Sequence, residues 1–230
     1  MHWPGLHEGS SPVLHHGGVD DYADFGRLCG AVYVAARAGA VDCTAAFDLA
    51  ASWLEDDPQD PDATELAMLS LDCARAGQPR LAEVALRLLA AHGFRPGFAE
   101  EPALLARLEE AMDLVNRDLA ATGIHRRCLL RVYDDDGLNW PVNAYVQAWD
   151  GRRGTAQGVH PGSGANPVWA LVDVAEDAQD AIMHSLWAAW PLCPVHGLGA
   201  HAQEHEGAAV WWCAGGGGHA VTPIGEWRGR

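Results

Sequence analysis

"CPVHGLGAHAQEHEGAAVWWCAGGGGH", residues 193–219, is the stretch that decides the fold of the C-terminal part of this chain. Residue types that bind metal ions are concentrated in it: two cysteines, four histidines and two glutamates. Cys193 and His196 are three residues apart, with Pro194 between them and Gly197 directly after. In a tight turn this spacing directs both side chains toward one atom, and the glycine permits a left-handed backbone. The first pair therefore predicts a metal-binding knuckle.

The second pair of candidate ligands flanks a run of glycines. Cys213 ends the apolar run AAVWW, His219 begins the strand-like run HAVTPIGEW, and residues 215–218 between them are all glycine. Such a run can turn a hairpin without steric cost. Together with the knuckle, this spacing predicts a tetrahedral zinc site made by Cys193, His196, Cys213 and His219. The alternative is a pair of free thiols on an apolar hairpin with surface histidines.

The middle of the stretch leaves a second arrangement open. His201, Glu204, His205 and Glu206 lie in the loop HAQEHEG, and either histidine could replace His219 as the fourth ligand. With only three protein ligands, water would take the fourth place, and the site could be hydrolytic with Glu204 or Glu206 as the base. The loop lacks the His-Glu-x-x-His helix of metalloproteases, so a closed structural site is favoured.

Upstream of the candidate site, residues 126–190 have the pattern of a small antiparallel sheet with a helix packed on it. Alternating runs at 126–137 and 142–151 each end in a turn signal and predict two strands. The apolar run VWALVDV, 168–174, predicts a further, buried strand. Residues 175–190 predict the helix, because acids lie in its first turn and its apolar residues form one stripe.

The N-terminal half has helical periodicity. From residue 20 to about 122, apolar residues recur at steps of three and four, which predicts five helices. These helices are separated by turn residues at Gly39, Pro58, Gly77, Gly93 and Pro96. Residues 1–18 are rich in glycine, proline, serine and histidine and are expected to form a disordered tail.

The expected organisation is of the α+β class. A tail (1–18) precedes a domain of α-helical hairpins (19–123), arranged as a bundle or a helical repeat. An α+β domain (124–230) follows and ends in a zinc-binding module (191–230). Forty residues cannot hold a hydrophobic core alone, so the metal would supply the missing folding energy of that module.

Two resemblances carry further expectations. AARAG at 35–39 and CARAG at 73–77 are 38 residues apart, and the helices around them resemble the tetratricopeptide repeat. The matching packing positions are Leu66, Leu69, Ser70, Cys73, Gly77, Ala82 and Leu86. This resemblance covers about 75 residues and implies a groove for a protein partner.

The last forty residues resemble C-terminal zinc-ribbon-like modules with a Cys-Pro-x-His knuckle. They are also similar to the ends of uncharacterised actinobacterial proteins with a W-P-x-C-P-x-H … W-x-C … I-G pattern. The residues that match are Trp190, Pro191, Cys193, Pro194, His196, Trp211, Cys213, Ile224 and Gly225. The resemblance implies a structural zinc and carries no activity with it.

The composition indicates which kinds of binding partner and which cellular compartment to expect. The formal net charge is −16, and all fifteen basic residues are arginine. Such an acidic surface repels the phosphate backbone, which disfavours sequence-independent nucleic-acid binding. No run of 18 apolar residues and no secretory signal is present. The remaining cysteines lie singly in apolar runs, where they are expected to be small hydrophobic residues rather than disulfide partners: Cys29, Cys43, Cys73 and Cys128. A reducing compartment, the cytoplasm, is therefore expected.

The sequence assigns no catalytic residue and no residue that binds an organic cofactor. No phosphate-binding loop or dinucleotide fingerprint occurs, and HPGSG at 160–164 lacks the spacing of a nucleophile elbow. The expected function is that of an intracellular adaptor or regulatory protein that binds another protein and carries a structural zinc. The alternative is a zinc-dependent hydrolase that uses the loop His201–Glu206. The oligomeric state is left open.

Overall fold

The computed structural model describes residues 19–73, 77–133, 142–154 and 158–228. The predicted tail, 1–18, lies outside the described residues. The chain divides into two compact units, which we call unit 1 (Met1–Pro96) and unit 2 (Gly97–Arg230).

Unit 1 is helical. Its described helices are α1 (Val19–Arg37), α2 (Cys43–Asp56), α3 (Pro61–Leu71) and α4 (Gln78–Ala91). Asp42 and Asp60 cap α2 and α3 by accepting hydrogen bonds from the backbone N–H groups of Ala45 (2.9 Å) and Ala63 (2.7 Å). Pro61 occupies the first turn of α3, where its missing N–H costs nothing.

The core of unit 1 lies where α2 packs against α3, α1 against α4, and α3 against α4. The largest fully buried side chains there are Val32, Leu49, Leu66, Leu81, Val84, Leu88 and Leu89. At its edge the ring of His92 stacks on buried Trp53, with the centroids 3.9 Å apart, and its Nε2 lies 2.8 Å from Asp60 Oδ2. Asp60 therefore serves both as the cap of α3 and as the partner of His92.

The expectation that Cys43 and Cys73 are isolated hydrophobic residues is wrong. Cys43 begins α2 and Cys73 follows the end of α3, and the two form a disulfide with their Cα atoms 6.4 Å apart. The α2–α3 packing brings the start of one helix to the end of the next, a proximity that single apolar runs cannot reveal. Cys29 and Cys128 are buried free thiols, and burial raises the pKa of each to about 12.

Unit 2 contains both sheets. Its described elements are α5 (Pro102–Ala121), β1 (Leu129–Tyr133), β2 (Asn143–Gln147), α6 (Pro167–Leu186), β3 (His201–His205), β4 (Ala208–Cys213) and β5 (His219–Pro223). The strands β1 and β2 form one antiparallel pair, and β3, β4 and β5 form an antiparallel sheet in that order. The helices α5 and α6 pack on each other, and α6 also packs against β2, β3 and β4.

The buried strand predicted at 168–174 is wrong, because these residues form the first half of α6. An apolar run alone does not distinguish a buried strand from a buried helix. The local signal is instead Asn166, whose side chain accepts hydrogen bonds from the N–H groups of Val168 (2.8 Å) and Trp169 (3.3 Å). Pro167 follows at the first helical position, which favours a helix start.

The unit boundary differs from the expected division at 123/124. The apolar face of α5, with Leu108, Val115 and Leu119, lies in the same core as Val174 and Ala178 of α6. Periodicity identifies α5 as a helix but does not show which core its apolar face joins. Its packing assigns it to unit 2.

The predicted α+β class is confirmed. The part of the chain that the structure describes contains six helices and two small antiparallel sheets, of two and three strands. Of the described helices, none combines the length and the apolar character that crossing a membrane requires.

Candidate metal centre

The knuckle is a tight backbone turn closed by hydrogen bonds. The N–H of Cys193 donates to the carbonyl of Leu198 (2.7 Å), and the N–H of Gly197 donates to the carbonyl of Cys193 (2.8 Å). Gly197 has φ +66°, in the left-handed region that glycine adopts without strain. The turn therefore places Cys193 and His196 on the same side, as their spacing predicts.

The second pair of candidate ligands flanks the turn between β4 and β5. Cys213 and His219 are directly opposite each other in the register of β4 and β5. The glycines between them adopt positive φ at Gly216, Gly217 and Gly218. A side chain at these positions would strain the turn, so the glycine run permits a hairpin that brings the second thiol and the second imidazole side by side.

All four predicted ligands meet at one point. Their ligand atoms lie within 4.8 Å of one another. Cys193 Sγ is 3.7 Å from His196 Nδ1 and 3.6 Å from His219 Nε2, and Cys213 Sγ is 3.5 Å from the same His196 nitrogen. Zinc bonds of about 2.3 Å to sulfur and about 2.0 Å to nitrogen give a tetrahedral sulfur–nitrogen edge of about 3.6 Å. The cluster therefore has the dimensions of a tetrahedral metal site.

The surroundings of the cluster are asymmetric. Both cysteines are buried, whereas His196 is exposed and His219 is half-buried. The imidazole of His196 lies against the hairpin turn so closely that a Cβ on Gly215 would stand 2.7 Å from its Cγ atom. Only glycine at this position leaves room for the ring, so the turn holds His196 in its orientation.

Electrostatics favour a thiolate at Cys193. Burial by itself raises the pKa of this thiol, but the N–H groups of His196 and Val195 and the neighbouring Cys213 and His196 side chains lower it. The net effect is a pKa lowered to about 6, so Cys193 is mainly ionised at neutral pH. The N–H of Gly215 also points at Cys213 Sγ, at 3.4 Å. Metal ligation requires the ionised sulfur, and these contacts favour it.

The alternative ligands lie outside the cluster. His201 and His205 are on β3, and neither belongs to the group of ligand atoms that converge. The ring of His205 packs against Trp212, with centroids 4.8 Å apart. Glu204 accepts a hydrogen bond from the N–H of Gly207 (2.7 Å) and so closes the β3–β4 turn. The predicted loop is thus a strand and its turn, and His219 is the histidine that completes the set.

Two buried polar side chains attach this module to the helices, and sequence reasoning did not identify them. Asp118 of α5 is fully buried and accepts hydrogen bonds from Trp211 Nε1 (2.7 Å), Gly225 N (2.7 Å) and Trp227 N (2.8 Å). Gln179 of α6 donates to the carbonyl of Trp190 (2.7 Å), just before the knuckle. The available signal was a carboxylate and an amide within apolar helix faces, where a polar residue needs a partner.

Comparisons with known proteins found no match for this chain. No family model matches the chain. No curated protein matches it either, and the same holds for solved structures. The resemblances to the tetratricopeptide repeat and to zinc-ribbon modules therefore stay predictions, and the chain is assigned to no family.

Proposed function

We propose that this chain binds one structural zinc ion through Cys193, His196, Cys213 and His219, and that it acts as an adaptor or regulatory protein for another protein. The observation that carries the zinc proposal is the convergence of the four ligand atoms at tetrahedral distances. Two thiolates and two imidazoles suit zinc better than calcium or magnesium, which prefer oxygen ligands. The two thiolates also neutralise the ion, so its thiolate side can be buried.

A structural role is favoured because the protein supplies all four ligands. A catalytic zinc keeps one position for water, and here no position is left. Of the two candidate bases in the alternative, hydrolytic arrangement, Glu204 is engaged elsewhere, because its carboxylate closes the β3–β4 turn. We therefore propose a closed, four-ligand zinc site. A zinc ion held by only three protein ligands would instead indicate the alternative function, a hydrolase.

The adaptor role is supported by the acidic surface and by the helical hairpins of unit 1. We propose the cytoplasm as its compartment, because metal-bound thiolates persist under reducing conditions. The Cys43–Cys73 disulfide is the observation that opposes this location. Counting free thiols in protein quenched directly from cells decides the matter: a disulfide that is present there contradicts the cytoplasmic proposal.

The zinc proposal predicts a metal content of one zinc per chain. Cys213→Ser should abolish bound zinc, because a hydroxyl is a poor zinc ligand. Elemental analysis of the purified, dialysed protein measures this. Cys29→Ala is the matched control, since Cys29 is a buried thiol in unit 1 and should leave the zinc content unchanged. Full zinc retention in Cys213→Ser would contradict the site.

The same measurement identifies the fourth ligand. His219→Ala should lower the zinc affinity by an order of magnitude or more, whereas His201→Ala and His205→Ala should leave it unchanged. Loss of zinc in His201→Ala or His205→Ala with retention in His219→Ala would identify that histidine of β3 as the fourth ligand, whereas unchanged zinc in all three variants would favour the three-ligand, hydrolytic arrangement. For the adaptor role, affinity capture with the full chain should return a protein partner, and its repeated absence would contradict that role while leaving the zinc site intact.

A further inference from the structure

The end of α6 carries an exposed tryptophan in an unfavourable backbone conformation. Trp187 caps the helix with φ +53° and ψ +33°, which is the left-handed region. A bulky residue is rare there because its Cβ crowds the following carbonyl. The side chain is also 83% exposed. The folded state therefore has both a strained backbone and an exposed indole at the same residue. Backbone strain of this kind is typical of residues that contact ligands.

Trp187 forms one wall of a shallow groove of about 330 Å³. The residues that line this groove are Asp180, Met183, His184, Trp187, Ala188 and Ala189. The guanidinium of Arg152 lies over the indole, 5.4 Å from its centroid, and donates a hydrogen bond to the carbonyl of His184. Arg152 therefore lies beside the indole and leaves most of the ring exposed. The groove is thus a preformed, mainly apolar surface with one carboxylate, Asp180.

Asp180 is also the last member of an acidic ridge along α6. Asp173, Glu176 and Asp180 are spaced by three and four residues and so share one face of the helix. Burial raises the pKa of Asp173, while burial and the charges of Asp173 and Asp180 raise the pKa of Glu176. Asp173 accepts a hydrogen bond from Ser163 Oγ. Within the described ranges no arginine forms an ion pair with Glu176 or Asp180.

We propose that the groove at Trp187 and the acidic ridge Asp173–Glu176–Asp180 together bind a basic segment of a partner protein, with an apolar side chain of that segment against the indole. The proposal rests on the adaptor role and names the chemistry of its partner. Tryptophan provides a large contact area at low entropic cost and is enriched among residues that dominate binding energy. Arginine or lysine side chains would pair with the carboxylates and remove their repulsion.

The test uses the full, zinc-loaded chain and a fluorescently labelled synthetic peptide in which arginines follow a pair of leucines. Trp187→Gly should weaken binding of this peptide by about tenfold or more. The same change should preserve or raise the thermal midpoint, because glycine relieves left-handed strain at a helix end. Leu71→Ala is the matched control, since Leu71 is a similarly exposed apolar residue in unit 1. It should leave binding unchanged.

A second pair of variants tests the charge of the ridge. Glu176→Gln with Asp180→Asn should weaken peptide binding and reduce its dependence on salt. Glu109→Gln with Glu110→Gln on α5 removes the same two charges from exposed positions elsewhere in unit 2 and should have little effect. Equal weakening by both pairs would show only the attraction of an acidic protein for any cationic peptide, and would overturn the proposal.

The remaining outcomes separate this inference from the adaptor role itself. A captured partner that Trp187→Gly still binds fully would overturn the groove while the adaptor role stands. A shift from dimer to monomer in Trp187→Gly, measured by light scattering, would show that a second copy of this chain occupies the groove. Binding of the arginine–leucine peptide that Trp187→Gly and the ridge variant both weaken, with the controls unchanged, would support the proposal.

Discussion

Asp118 shows how a single buried carboxylate organises the C-terminal module. Its two oxygens accept three hydrogen bonds, one from the indole of Trp211 in β4 and two from backbone N–H groups after β5. The side chain lies on α5, so these bonds join the three-stranded sheet to the helical layer of unit 2. Buried charges are stable only when they are satisfied in this way. The attachment is therefore directional.

Replacing Asp118 by asparagine should lower the free energy of unfolding of unit 2 by about 2–4 kcal/mol. Asparagine keeps the shape but has one acceptor oxygen, and its NH₂ group faces donors that then have no partner. Urea denaturation followed by tryptophan fluorescence measures the effect. Asp113→Asn is the control on the same helix, because Asp113 forms an exposed ion pair with Arg127 and should change stability by less than about 1 kcal/mol. Similar losses in both variants would contradict the role of Asp118.

At the scale of elements, α2 and α3 are held together in three ways. Their apolar faces form part of the core of unit 1, and the Cys43–Cys73 disulfide joins the start of α2 to the residues after α3. Asp60, the cap of α3, contacts His92 at the end of α4, and the ring of His92 stacks on Trp53 of α2. The disulfide closes a separation of 30 residues along the chain. Closing such a loop in the unfolded chain removes conformational entropy and so favours the folded state.

Removing the disulfide by Cys43→Ala with Cys73→Ala should lower the free energy of unfolding of unit 1 by about 3–4 kcal/mol, the loop-closure value for this separation. Urea denaturation followed by circular dichroism at the helical band is the measurement. Cys29→Ala again serves as the control, because it removes a buried thiol without opening a loop. An unchanged midpoint in the double variant would mean that the two cysteines contribute no cross-link in solution.

Asp60 gives the same pair of helices a dependence on pH. Burial opposes its charge, but the N–H of Ala63 and the contact with His92 outweigh that effect and lower its pKa. A carboxyl whose pKa is lowered by folding contributes stability above its unfolded pKa and loses it as pH falls through the folded value. Unit 1 should therefore lose stability in acid below about pH 4, and Asp60→Asn should flatten that loss in a denaturation series over pH.

At the scale of the whole chain, each unit has its own hydrophobic core. The buried residues of one core all precede Gly97 and those of the other all follow it. The disulfide lies in unit 1 and the metal cluster in unit 2. Small folding units commonly need a covalent or metal cross-link in addition to their core. A disulfide cross-links unit 1, and the proposed zinc ion would supply the corresponding cross-link in unit 2.

Chelation should act on the knuckle and the hairpin first. A strong zinc chelator is expected to speed hydrogen exchange at the backbone amides of the knuckle and of β4 and β5, because all four ligands lie there. Mass spectrometry of peptic fragments measures this. The amides of α2 and α3, which contain no ligand, provide the internal control. Equal acceleration in both regions would contradict a local role for the metal.

Local sequence patterns predicted those features of the fold and of the site that depend on residues close together in the chain. Turn residues such as Gly39, Gly77 and Gly93 mark helix ends because they act on the backbone a few residues away. The spacing of Cys193 and His196, and the glycines between Cys213 and His219, predicted the two halves of the metal cluster for the same reason. The α+β class followed from these local patterns.

Features that depend on contacts between residues distant in the chain became apparent only in the folded structure. It selected His219 over His201 and His205, because strand register places Cys213 opposite His219. It paired Cys43 with Cys73, and it placed α5 in the core of unit 2. In each case the deciding contact joins segments that are brought together only when the chain folds.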